Sequence, residues 1–219
     1  MKKTESILSA VRTFPVPATQ KIRLEKKFYE LTNAFDYPAG VQFFSSYLLR
    51  HPHEFDEGVF CRLGLLVDHL AFAATKKEAR KIEQVALRIY SYVLARKPDS
   101  QRATWGIGRV YLHRHSRKAL PYAKRAFRLS KKEGVSTGMR AQCVGLVYEN
   151  LGEYRNAALW LRRGLRENPD DWGMYLNLVT FHRYRKQFRS ATRYAAKLET
   201  LIHRKEPKEF FSKPWGKKL

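Results

Sequence analysis

Residues 138–171, GMRAQCVGLVYENLGEYRNAALWLRRGLRENPDD, leave the chain little choice of local structure. Ala141, Val144, Gly145 and Tyr148 recur at i, i+3, i+4 and i+7, the spacing of a single helix face. Residues 150–153, with Gly152 among them, break that helix. A second periodic run then sets Tyr154, Ala157, Leu161, Gly164 and Leu165 on one face, and Pro169 stops it because proline cannot continue the hydrogen-bond ladder. The small residues Gly145, Ala157 and Gly164 let two helix axes approach closely, while Tyr148, Tyr154 and Leu161 fill the space around the crossing. The stretch is a helical hairpin.

Gly145, Tyr148, Gly152, Tyr154, Ala157 and Pro169 fall where the tetratricopeptide repeat places its signature residues, and the 34-residue span resembles that family's unit. Weaker copies run along the rest of the chain. One small residue per unit serves as a ruler: Gly40, Ala86, Ala119, Ala157 and Ala191. The expected organisation is an N-terminal arm over residues 1–20, a repeat domain over 21–205 in units 21–54, 55–100, 101–137, 138–171 and 172–205, and a basic tail over 206–219. The resemblance implies an all-α, right-handed superhelical solenoid of about five hairpins, each burying its apolar face against its neighbours, with first helices lining the concave side.

Within these units the inner faces read as Leu24, Phe28 and Leu31, then Tyr37, Gly40, Phe44, Tyr47 and Leu48, in the first. Unit 55–100 is longer, with Thr75 to Lys77 as its turn, the extra length chiefly in its first helix, and Ile82, Val85, Ala86 and Tyr90 on its second. Ala119, Ala123, Ala126 and Phe127 mark the next unit, followed by a connector in which Gly134 suggests a C-terminal cap. The last unit offers Tyr175, Leu178, Val179 and His182, then Phe188, Ala191, Ala195 and Leu198. In the arm, Ile7, Leu8 and Val11 make at most one apolar turn before the extended Phe14-Pro15-Val16-Pro17. In the tail, Phe210, Phe211 and Trp215 pack on the last repeat or meet a partner.

Catalytic constellations are missing from this pattern. There is no phosphate-binding Gly-x-x-x-x-Gly-Lys, and Gly106-Ile107-Gly108 lies inside a helical run where close packing explains it. His51 with His53, and His113 with His115, have a one-residue spacing that puts the rings on different helix faces, so no metal and no cofactor is expected. Cys61 and Cys143 sit in apolar runs as small buried hydrophobes. The two lysines at the start are not followed by a signal peptide's apolar core, and no run of about 18 apolar residues spans a membrane, which leaves a reducing cytoplasm as the simplest compartment. Apolar residues at 44% exclude a disordered chain.

Charge carries the functional signal. The net charge is +23 and the pI near 10.2, which favours polyanions or acidic proteins by long-range attraction. Residues 101–132 hold ten Lys and Arg with no Asp or Glu, and residues 183–219 hold twelve against three. A non-catalytic adaptor is expected, its basic groove binding an acidic protein or peptide, as the resemblance implies. The groove candidates are Arg102, Trp105, Arg109, Gln142, Leu146, Glu149, Asn177, Thr180, Arg183 and Tyr184, which point away from the packing face of the first helices. The family's carboxylate clamp pairs Lys and Asn one turn apart in a first helix, and no such Lys-x-x-x-Asn stands here. The alternative is RNA or DNA binding through residues 101–132 and 183–219, with interleaved aromatics for base stacking. Oligomeric state is left open.

Overall fold

The computed structural model describes residues 17–51, 55–112 and 116–204. Most of the arm, His53, His113, Arg114, His115 and the tail with its three aromatics lie outside the described residues. The chain divides into two compact units, Met1–Tyr111 and Leu112–Leu219. Among the described residues all regular structure is helical.

The first unit contains α1 (Ala18–Asn33), α2 (Tyr37–Arg50), α3 (Glu57–Ala73), α4 (Lys76–Arg96) and α5 (Gln101–Leu112), whose last residue passes the unit boundary. Leu24, Phe28 and Leu31 are buried on α1, and Gly40, Phe44 and Tyr47 on α2. Gly40 lies against Leu66 of α3, so closely that an added Cβ would stand 2.9 Å from Leu66 Cδ2. Side-chain caps start the helices: Asp36 Oδ1 accepts from the Ala39 amide, and Asp56 Oδ1 from that of Val59. Thr75 and Glu78 form a reciprocal capping box. That box begins α4 at Lys76, inside the expected turn, and makes the returning helix the longer one, with 21 residues against 17. The expectation of extra turns chiefly in the first helix is corrected accordingly.

Tyr90 of α4 is almost wholly buried, its ring between Gly64 of α3 and Gly106 of α5. A methyl group at either glycine would collide with the ring, so the Gly-Ile-Gly run is a packing device. Val85, expected inside, is exposed. Asp68, in the middle of an apolar run, is buried with its Oδ2 3.2 Å from Arg109 Nη2. Burial pushes its carboxyl above the usual range although Arg109 opposes this.

The second unit contains α6 (Ser116–Lys132), α7 (Gly138–Asn150), α8 (Tyr154–Glu167), α9 (Trp172–Tyr184) and α10 (Phe188–Arg204). The α7–α8 hairpin follows the sequence pattern. Ala141, Val144, Gly145 and Tyr148 are buried, as are Ala157, Leu161 and Gly164. Leu161 covers Gly145, and Met174 of α9 reaches both Gly138 and Gly164. Tyr154, 40% exposed at the rim, and the half-buried Leu165 are the exceptions. The α9 stripe is displaced from the expected one: Met174, Leu178 and Phe181 are buried, because Met174 fills the space left by the two glycines. On α10 the buried set is Ala191, Tyr194 and Leu201, while Phe188 and Ala195 are exposed. Tyr194 takes the inner position by stacking on His182, with centroids 5.4 Å apart and planes at 10°. All five ruler residues are buried.

Four helices end in one way. Phe35, Gly134, Gly152 and Lys186 take positive φ of 57°, 67°, 77° and 55°. The amide of the next residue returns to a carbonyl five positions back, as from Glu153 to Tyr148 and from Gln187 to His182. Gly134 thus supplies the cap expected of it. Phe35 and Lys186 accept the left-handed backbone without glycine's freedom.

Candidate functional site

Leu112–Leu219 carries 25 Lys and Arg against nine Asp and Glu, and Met1–Tyr111 carries 18 against 11; the excess belongs mainly to the second unit. In the first unit bases meet carboxylates. Lys21 lies 2.9 Å from Asp56, Arg62 2.8 Å from Glu25, and Lys97 2.7 Å from Glu57. In the second, several cations lie over rings: Arg163 is 4.3 Å from the Phe127 centroid and Lys124 5.2 Å from that of Tyr148. Ring faces hold such cations in place and leave their charge uncancelled.

One hollow in the second unit gathers three arginines. It encloses about 370 Å³ between α8, α9 and the turn that follows α9. From α8 come Arg155 and Arg162, seven residues and so about 10.5 Å apart along the axis, on either side of Ala158. The methyl side chain of Ala158 leaves the floor open. Arg185, in the turn, completes the set. Arg162 Nε donates to the Ala158 carbonyl at 3.1 Å, which orients its guanidinium and leaves the terminal nitrogens outside that bond. Arg185 lies over Tyr154 with its guanidinium carbon 3.9 Å from the centroid. His182 Nδ1–H donates to Gln187 Oε1 at 2.7 Å, so this wall is ordered too. No carboxylate lines the hollow, and among the described residues none of the three arginines forms an ion pair. Three cations with an aromatic wall can receive a compact anion.

The sequence-derived groove candidates fall in both units. In the first, Arg102 is exposed, whereas Arg109 spans the Trp105 ring at 5.1 Å and the Asp68 carboxylate, so its charge is matched internally. In the second, Gln142, Leu146 and Glu149 lie half-buried along α7, and burial pushes the Glu149 carboxyl upward. Asn177 is half-buried on α9, while Thr180, Arg183 and Tyr184 are exposed, Tyr184 at 82%. None of these residues lines the arginine hollow. Sequence reasoning missed Arg155 and Arg162 by looking at first helices and at the two densest basic runs. The available signal was an i, i+7 arginine pair flanking an alanine.

No family model and no curated protein matches the chain. Solved structures do. MamA residues 41 to the end from Desulfovibrio magneticus RS-1 is 14% identical, with 87% of this chain and 98% of that one covered at a TM-score of 0.58. An ArsTM double mutant of MamA RS-1 gives 13% identity, the same coverages and the same TM-score. A further crystal structure of MamA is 14% identical over 81% of this chain and 95% of its own, at 0.55. At such identity the likeness carries the fold, an all-α arrangement of helical hairpins. No helix among the described residues is long and apolar enough to cross a membrane.

Proposed function

We propose that the chain is a non-catalytic interaction scaffold of the tetratricopeptide kind, whose second unit binds an acidic segment of a protein partner. The observation that supports this reading is the hollow of Arg155, Arg162 and Arg185, three cations of which two are held in place, with no carboxylate among them. Most surface arginines gain little from remaining bare, and a site poised for an anion is where such an arrangement has a use. The exposed Arg183 on α9 and Lys186 in the turn extend the positive surface along the chain from the hollow. Thr180 and Tyr184, one turn apart on α9, supply neutral contacts for the rest of the segment. Catalysis has no part in this reading, and a cytoplasmic location belongs to it.

The test is fluorescence anisotropy with a labelled Glu-rich peptide and, separately, a labelled oligo-uridine. The acidic peptide binds the parent protein, and the Arg155→Gln/Arg162→Gln/Arg185→Gln variant loses about tenfold or more in affinity with an unchanged helical circular dichroism spectrum. If the triple variant binds the peptide as well as the parent does, the reading is wrong. If only the oligo-uridine binds, with log K falling in log salt by about 0.7 for each phosphate contacted, the surface serves nucleic acid instead.

A further inference from the structure

We propose that the Arg155–Arg162–Arg185 hollow binds a phosphate monoester carried on a side chain of the partner segment. This inference rests on the reading above and sharpens it to one subsite. Charge supplies the first argument. A carboxylate has one negative charge and two oxygens, and a single arginine fork satisfies both. Three guanidinium groups around one carboxylate would leave two positive charges uncompensated beside an aromatic wall. A phosphate monoester carries roughly 1.5 to 2 negative charges near neutral pH and three acceptor oxygens, one for each fork.

Geometry supplies the second. The hollow of about 370 Å³ has room for a tetrahedral group and the first atoms of the side chain that bears it. The two α8 arginines stand on either side of Ala158 in the helix, and Arg185 comes from the turn, so two elements of the fold contribute cations to the lining. Two of the three are already oriented, Arg162 by its bond to the Ala158 carbonyl and Arg185 by the Tyr154 face. For those two, less side-chain freedom remains to be lost on binding. Tyr154, Ala158 and Phe181 contribute apolar surface to the lining.

The test compares peptides of one Glu-rich sequence with serine, glutamate, phosphoserine, tyrosine or phosphotyrosine at the central position, each titrated against the full chain. The phosphorylated peptides bind at least tenfold tighter than their unmodified forms and at least threefold tighter than the glutamate form. The phosphoserine and phosphotyrosine arms show which side chain reaches the arginines. Arg155→Gln, Arg162→Gln and Arg185→Gln each remove most of the phosphate-dependent gain, so that the ratio of phosphoserine-peptide to serine-peptide affinity falls towards one. Millimolar inorganic phosphate displaces the phosphopeptide, and sodium chloride at equal ionic strength does so less. Binding of every acidic peptide with no preference for phosphate overturns this inference and leaves the scaffold reading standing. A phosphate preference that survives all three substitutions overturns the assignment of the site. Failure of every peptide to bind overturns both.

Discussion

The contact between Gly145 and Leu161 admits a quantitative test of how α7 and α8 are held together. A Cβ at position 145 would stand 2.8 Å from Leu161 Cγ, 2.9 Å from Cδ2 and 3.2 Å from the Leu161 backbone nitrogen. Carbon atoms in contact prefer about 3.5–4.0 Å. Leu161 is fully buried, and the near atoms include its γ-carbon and main chain, so the side chain cannot swing clear and the helices must part. Gly145→Ala therefore sets an overpacking cost of about 1–3 kcal/mol against a gain of about 1 kcal/mol in helix propensity. The expected net loss is roughly 0–2 kcal/mol. Leu161→Ala alone costs about 2–5 kcal/mol by leaving a cavity. In the double variant the new methyl group enters that cavity, the overlap vanishes and the propensity gain returns. The two effects are then non-additive by roughly 1–3 kcal/mol in the favourable direction. Urea unfolding of the parent and the three variants, followed by far-UV circular dichroism, measures all four corners. If Gly145→Ala proves more stable than the parent, or if the losses add, close approach is not why glycine stands here.

Other consequences are checked in the same format. Lys186→Gly relieves a left-handed residue and raises stability by about 1 kcal/mol; Phe35→Gly gains less, because the Phe35 ring also packs edge-on against Tyr37. His69 is held neutral by burial and by Arg109, its pKa lowered from 6.5 to about 4. The unfolded chain binds a proton there that the folded chain refuses, so this contribution is complete above pH 6.5 and is lost as pH falls towards 4. With allowance for the solvent His69 still meets, the loss is roughly 1–2 kcal/mol, and a His69→Phe variant denatured at both ends of that range lacks it. The buried Cys61 thiol has its pKa pushed up to about 12, so at pH 8 only about one molecule in ten thousand carries the thiolate. Iodoacetamide should label Cys61 at a measurable rate only in denaturant, as read by peptide mass.

The α7–α8 hairpin was legible because three local signals agree there: a 3.6-residue period, a glycine at the left-handed turn and a terminating proline. Across α9 and α10 the period was present but its phase was not. Tyr175, His182 and Phe188 read as inward-facing by hydrophobicity. The inner places belong to Met174, Phe181 and Tyr194 because partners on other helices select them: Gly138 and Gly164 for Met174, and His182 for Tyr194. Asp68 was invisible for the same reason, since only Arg109, 41 residues away, makes its burial tolerable. The arginine hollow depends on residues separated by up to 33 positions and on the fold of one turn. No window along the sequence contains it. Arg155 and Arg162, by contrast, already stand two turns apart on one helix and were available to a search that included second helices.

The position of Tyr90 between Gly64 and Gly106 has a consequence for how the first unit opens. A ring enclosed by backbone from α3 and α5 cannot reach solvent while either helix remains in place. Amide protons along α3, α4 and α5 should accordingly exchange with deuterium through a single shared opening event, with closely matched opening free energies. The amides of α1 are released by smaller excursions that leave that ring enclosed.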